Sequence, residues 1–169
     1  MTDEKEKIIK PGFEELFDTY YDRLYNYAYS LLLHREDAEN IVSETFLAAY
    51  VSYDRYDPNI ASPGTWLFRI AHNKAVDLVK SASYKRTEEL PEDTDVQSHE
   101  DFTKDVETRE EILYLYSRLS VEEREFLDMR YVMELKDAEV AEMYGVPVKT
   151  INKRYQRLLA KCRKILEDE

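Results

Sequence analysis

Residues 137–166 read DAEVAEMYGVPVKTINKRYQRLLAKCRKIL, and this stretch decides the fold. Asp137 to Tyr144 form a short helical segment with Ala138, Val140, Ala141 and Met143 as its small and apolar residues. Gly145 follows as the turn residue, Val146 as a hydrophobic plug, and Pro147 starts a second helix in which Val148, Ile151, Tyr155, Leu158 and Leu159 are available to pack. A short helix, a Gly turn and a Pro-started second helix are the arrangement of a helix-turn-helix, with the small Ala141 where the two helices approach. From Gly145 to Leu166 the charges are Lys149, Lys153, Arg154, Arg157, Lys161, Arg163 and Lys164, with no acid among them. Such a run can make an anion-binding surface, though on charge alone the solvated face of a helix is the favoured reading.

Outward from this stretch the pattern stays helical. Ile112, Leu113, Leu115, Tyr116 and Leu119 suggest a helix ending near Arg118, and Ser120 with Glu123 fits a capping box opening a helix that contains Phe126, Leu127 and Tyr131. Upstream of these, charge is unevenly placed. The 169 residues carry a net −12, of which residues 87–111, with 2 basic and 11 acidic side chains, hold −9. That segment contains Pro91 and few large apolar residues, so it reads as an extended, self-repelling linker. With 3 Gly and 5 Pro in the whole chain, a turn-rich β fold is disfavoured. The expected fold is all-α: two small helical domains, 1–86 and 112–169, joined by an acidic flexible linker over 87–111.

The first domain shows three helices. Phe13, Leu16, Phe17, Tyr20, Leu24, Tyr27, Ala28 and Leu31 recur at steps of three and four between about residues 12 and 33. A second helix, about Glu36 to Tyr53, carries Ala38, Ile41, Val42, Thr45, Phe46, Ala49 and Tyr50 on one face. Glu36 and Asp37 near its start are explained by the helix dipole; Glu44, two turns in, is not. Ser62 can cap a third helix starting at Pro63, with Leu67, Ile70, Ala71, Ala75, Leu78 and Val79 as its buried stripe. Arg69, His72, Asn73, Val76 and Lys80 fall on the other side, with Trp66 at its edge. Arg, Asn, Lys and Trp on one face suit phosphates, base edges and base rings, and they also occur on ordinary surface helices.

With these residues in place, two motifs resemble a known family. The run Asp37 to Phe46 (DAENIVSETF), followed by Trp66 to Asn73 (WLFRIAHN) with Asp77, looks like the N-terminal domain of the extracytoplasmic-function sigma factors of bacterial RNA polymerase. Glu123 to Tyr131 (EREFLDMRY), then Glu139 to Pro147 (EVAEMYGVP) and Thr150 with Ile151, resembles the C-terminal domain of that family. The resemblance implies a sigma factor that binds core RNA polymerase and directs promoter recognition, melting and transcription initiation. It implies polymerase binding through Asp37, Ile41, Val42, Glu44 and Phe46. It implies contact with the downstream promoter element through Trp66, Arg69, Asn73 and Lys80, and reading of the upstream element by Lys149, Thr150, Lys153, Arg154 and Arg157. The acidic linker would stand in for RNA in channels of the polymerase. Partners are then core polymerase and promoter DNA, with an anti-sigma factor allowed. Ser43 stands where the family often has Gln, and Asn152 to Arg154 where Lys-Ser-Arg is commoner.

Two other classes compete. A dimeric helix-turn-helix regulator would bind near-palindromic DNA without polymerase. An enzyme is disfavoured, because His34, His72 and His99 lack metal-ligand spacing and no Gly-rich phosphate loop occurs. No catalytic residue, metal or cofactor is expected. Cys162 is the single thiol, which excludes an internal disulfide and fits a reducing compartment. No apolar run approaches the roughly 20 residues that span a bilayer. The start, Met1 to Lys10, is charged, so the expected location is cytoplasmic, without membrane insertion.

Overall fold

The computed structural model describes residues 8–81 and 106–168, and all regular structure among them is helical. Three helices come first: α1 (Phe13–Leu32), α2 (Arg35–Ser52) and, after a 3-10 turn at Tyr53–Arg55, α3 (Pro63–Lys80). Four follow: α4 (Val106–Arg118), α5 (Val121–Tyr131), α6 (Asp137–Tyr144) and α7 (Val148–Glu167). Of the expected linker over 87–111, residues 87–105 lie outside the described part. Its last residues instead open α4, six positions before Ile112. Glu107, Glu110 and Glu111 are good helix formers near a helix start, where the macrodipole favours acids.

Local chemistry sets the boundaries. His34 accepts from the Asp37 amide at 3.3 Å to cap α2, and the Ser62 hydroxyl accepts from Thr65 at 3.3 Å to cap α3. At α5 the capping box closes, with the Glu123 amide to Ser120 Oγ at 3.2 Å and the Ser120 amide to Glu123 Oε2 at 2.9 Å. Gly145, at φ 64°, ends α6 in the left-handed region that an L side chain resists.

In the first group α1 packs on α2 and α3 through Leu24, Tyr27, Ala28, Ile41, Val42, Phe46, Leu67 and Ala71, all buried. Small residues at Ala38, Ala49 and Ala75 let the helices approach closely. In the second, Tyr155 of α7 stacks on Phe126 of α5 with ring centres 4.2 Å apart and donates its hydroxyl to the Phe126 carbonyl at 2.9 Å. The two groups share one continuous apolar cluster, because α5 packs directly on α1.

Candidate polymerase and nucleic-acid interfaces

On α2 the structure separates residues that the motif reads together. Ile41, Val42 and Phe46, expected to touch polymerase, are buried in the first helical group, where Phe46 packs on Phe17 at 4.7 Å. They shape the helix from inside. Asp37 and Glu44 lie on the outer side, and Glu44 pairs with Lys74 of α3 at 3.7 Å. That exposed pair contributes little to stability. The same outer side carries Leu47, Tyr50 and Val51, which are 65%, 67% and 72% exposed. These are three large apolar side chains at steps of three and one, open to water on one side of α2. The signal was available in the sequence: Leu47 and Val51 are apolar yet fall off the buried stripe.

The α3 face is more committed than its pattern suggests. Trp66 stacks on Tyr56 with centres 4.2 Å apart, and the Tyr56 hydroxyl donates to the Ala61 carbonyl at 3.0 Å. Burial pushes the Tyr56 phenol up to about 12. In the loop before α3, Asp57 accepts from the Asn59 amide and side chain, each at 2.9 Å, which holds its carboxyl below the usual range. This Asx turn leaves Ile60 exposed at the loop tip. Arg69 is half-buried, while Asn73 and Lys80 are exposed. Phe68, left out of the expected stripe, is fully buried against Tyr27. His72, expected on the free face, is half-buried against α5.

Division of faces is clearest on α7. Ile151, Tyr155, Leu158 and Cys162 are buried, whereas Lys149, Thr150, Lys153, Arg154 and Arg157 are exposed. Burial pushes the Cys162 thiol up, so it packs as a small apolar group. The Arg154 guanidinium lies 5.4 Å from the Tyr144 ring centre and 5.7 Å from that of Phe126. These rings orient its planar fork. Lys161 is tied to Glu123 at 2.7 Å.

Arg69 and Asn73 share a cavity of about 1050 Å³ with Arg154 and Arg157, so two residues of each expected DNA-contact set face one space. Trp66, Lys80, Lys149, Thr150 and Lys153 lie outside its lining. Beside it the helical groups are joined by carboxylates. Glu125 Oε1 accepts from the Tyr27 hydroxyl at 2.6 Å and from His72 Nδ1 at 2.5 Å. Asp128 accepts from Ser30 of α1 and from Tyr116 of α4, the latter at 2.7 Å. Burial raises the Asp128 carboxyl to about 7, against the downward pull of those hydroxyls and of Arg124. Tyr27 is fully buried, and desolvation together with Glu125 lifts its phenol well above its ordinary value.

Residues 16–84 match sigma-70 region 2, and residues 109–162 match sigma-70 region 4. Over 178 positions the chain is 30% identical to the ECF RNA polymerase sigma factor SigW of Bacillus subtilis (strain 168), covering 96% of this chain and 95% of that one. Among solved structures, CnrH in complex with the cytosolic domain of CnrY aligns at a TM-score of 0.64 and 24% identity, over 93% of this chain and 88% of that one. The sigma factor RpoE of Bartonella quintana, solved with the anti-sigma factor NepR, aligns at 0.64 and 18% identity, over 92% and 96%. These two likenesses bear on the fold.

Proposed function

The chain belongs to the extracytoplasmic-function (ECF) sigma factor family, and from that premise we propose that three separate surfaces divide its work. As a sigma factor it binds core RNA polymerase and directs promoter recognition, melting and transcription initiation. The outer side of α2, with Asp37, Glu44, Leu47, Tyr50 and Val51, takes the polymerase. Helix α3, with Trp66, Arg69, Asn73 and Lys80, together with the loop before it, holds the melted downstream element, whose unstacked bases suit aromatic and Arg planes. The exposed face of α7 reads the upstream duplex, with Lys149, Thr150, Lys153, Arg154 and Arg157 toward the major groove.

The observation that carries this reading is the split of α7 into a buried apolar face and an exposed cationic face behind the Gly145 turn. The working units are residues 1–86 and 112–169, with the acidic 87–111 stretch as connector in polymerase channels. The protein acts in the cytoplasm as a regulatory subunit without catalysis of its own. No described helix is long and apolar enough to cross a membrane. An anti-sigma partner is proposed on the precedent of the solved complexes.

Run-off transcription with purified bacterial core polymerase, with and without the chain, is the direct test. Promoter-dependent transcripts are expected only in its presence. Glu44→Lys should reduce co-purification with core while leaving helical circular dichroism unchanged. A dimeric regulator would instead bind near-palindromic DNA with no polymerase present.

A further inference from the structure

The start of the chain carries a contact that none of the three surfaces uses. Lys10 precedes Pro11, which biases its backbone toward an extended course, and Pro11 has no N–H to offer a helix ladder. From there Lys10 reaches a residue 43 positions away. Its ammonium donates to the Tyr53 carbonyl at 2.5 Å and lies 4.1 Å from the Tyr53 ring centre and 5.8 Å from that of Tyr56. In return the Tyr53 hydroxyl donates to the Pro11 carbonyl at 2.6 Å. Phe13, at the start of α1, meets the Tyr53 ring edge-on with centres 5.7 Å apart. Residues 10–13 therefore form a strap that holds Tyr53 by its carbonyl, its ring and its hydroxyl.

What the strap holds is the entry to α3. Tyr53 opens the 3-10 turn, and its carbonyl also accepts from the Tyr56 amide at 3.0 Å, the bond that closes the turn. Lys10 thus binds the carbonyl that fixes where Tyr56 leaves the turn. Side chains three apart in such a turn nearly eclipse, which brings both phenol rings to the side of the Lys10 ammonium. Tyr56 is buried, stacks on Trp66 with planes 10° apart, and bonds the Ala61 carbonyl at the far end of the loop. One side chain therefore joins the turn, the loop and the first turn of α3. The Lys10 charge also reaches Asp57, adding to the Asn59 bonds that hold this carboxyl low.

A hydrogen bond from a charged donor is about twice as strong as a neutral one, and a ring beneath the ammonium adds to it. Lys10 is half-buried, with its ammonium engaged by a carbonyl and two rings, so it is placed to hold protein and not a phosphate.

We propose that Lys10 is a positioning residue for the downstream promoter element: the strap at residues 10–13 fixes the turn at Tyr53, and through it the Tyr56–Trp66 stack and the loop before α3, in the geometry that receives the melted strand. This rests on the assignment of α3 and its loop to that element.

The test uses the full chain, alone and in holoenzyme with purified core polymerase. Trp66 is the single tryptophan, so acrylamide quenching of its fluorescence reads the stack directly. Lys10→Met keeps the stem and removes the ammonium. In the free chain it should raise the quenching constant while helical circular dichroism stays unchanged. The DNA probe is a promoter selected by wild-type holoenzyme from a randomised library, with its downstream element premelted. If the variant leaves about one molecule in five in the competent geometry, apparent affinity for this probe falls about fivefold. Lys10→Arg, which keeps the charge, should restore most of both readings. Should Lys10→Met lose helicity, Tyr53→Phe, which drops only the hydroxyl bond to Pro11, is read in the same assays for a smaller shift in the same direction. Unchanged quenching overturns the positioning role. So does a salt slope lowered by about one, which would make Lys10 a phosphate contact. Greater quenching with unchanged probe binding overturns the link to DNA. Arg69→Ala/Asn73→Ala on the same probe judges the α3 assignment separately: a loss there beside intact Lys10→Met binding fails the strap alone, whereas no loss fails the assignment on which the strap rests.

Discussion

The two helices assigned to DNA, α3 and α7, solve the same problem differently. On α7 the two faces are sorted, with apolar anchors inward and cations outward, so the helix keeps its cationic surface when its domain folds. On α3 the roles overlap. Its first turn is capped by Ser62 and touched by Glu139, its Trp66 is stacked on Tyr56, and its His72 is held by Glu125. A helix sorted by face can be changed on one side without loss on the other; α3 cannot. DNA binding by α3, as proposed, would therefore compete with domain contact, and on α7 it would do so mainly along the Arg154 side.

The largest expected effect tests the sorting on α7. Tyr155→Ala removes a buried ring and the hydroxyl bond to the Phe126 carbonyl, so it should cost about 3–5 kcal/mol. Lys153→Ala, on the outer face, should stay within about 0.5 kcal/mol. Thermal unfolding of both variants measures the contrast. Similar losses would show that the two faces are energetically mixed.

Next comes the pH dependence of the domain contact. Asp128 is faced by Ser30 and Tyr27 of α1, Tyr116 of α4, and Arg124 and Glu125 of α5. Burial lifts its carboxyl from 3.8 to about 7. The folded protein thus keeps this proton where the unfolded chain has released it, and the associated stability is fully present below 3.8 and lost as pH rises through about 7. Glu123 and Glu139 are shifted downward, so their contribution is lost only as pH falls below the ordinary carboxylate range. Between pH 5 and 8 the Asp128 effect should dominate. The melting temperature should fall across that window, and Asp128→Asn, which cannot ionise, should flatten the fall.

The parts of the molecule legible in the sequence are those set by near neighbours. Ser62, Ser120 with Glu123, and Gly145 mark helix ends within three or four residues of what they bond, and each stands where its type predicts. Most of the buried faces of α1 and α7 was readable from spacing for the same reason, although Phe17 and Val148, placed on those faces, are exposed. Tyr27, His72 and Glu125 meet across 53 and 98 residues, and no local pattern announces that meeting. A motif also mixes purposes: Ile41, Val42 and Phe46 belong to the run expected to bind polymerase yet serve the core, whereas Leu47 and Val51 just beyond it are exposed. Helix periodicity separates those roles, and motif matching does not.

A smaller effect concerns base reading. Arg154, oriented between Tyr144 and Phe126, can pair bidentately with guanine O6 and N7, which a Lys cannot do. Arg154→Ala should cost about 1–3 kcal/mol in holoenzyme binding and relax preference at one upstream position. Lys153→Ala should weaken all promoters nearly alike and flatten the salt dependence. Binding to a library of upstream-element variants separates the two, and unchanged preference with Arg154→Ala would place another residue in the groove.

The smallest effect is the most direct probe of overlap on α3. Ser62→Ala removes the hydroxyl that accepts from the Thr65 amide, a cap whose loss costs about 1 kcal/mol in stability. The same hydroxyl bonds the Glu139 carboxylate of α6, so part of that cost belongs to the contact between the helical groups. A double-mutant cycle with Glu139→Ala apportions it, because residues acting independently give additive changes and residues in one hydrogen-bond network do not. Coupling of at least about 0.5 kcal/mol is expected from chemical denaturation of the four proteins. Additive losses would mean that Ser62 serves only its own helix, and α3 would then be sorted as cleanly at its start as α7 is along its length.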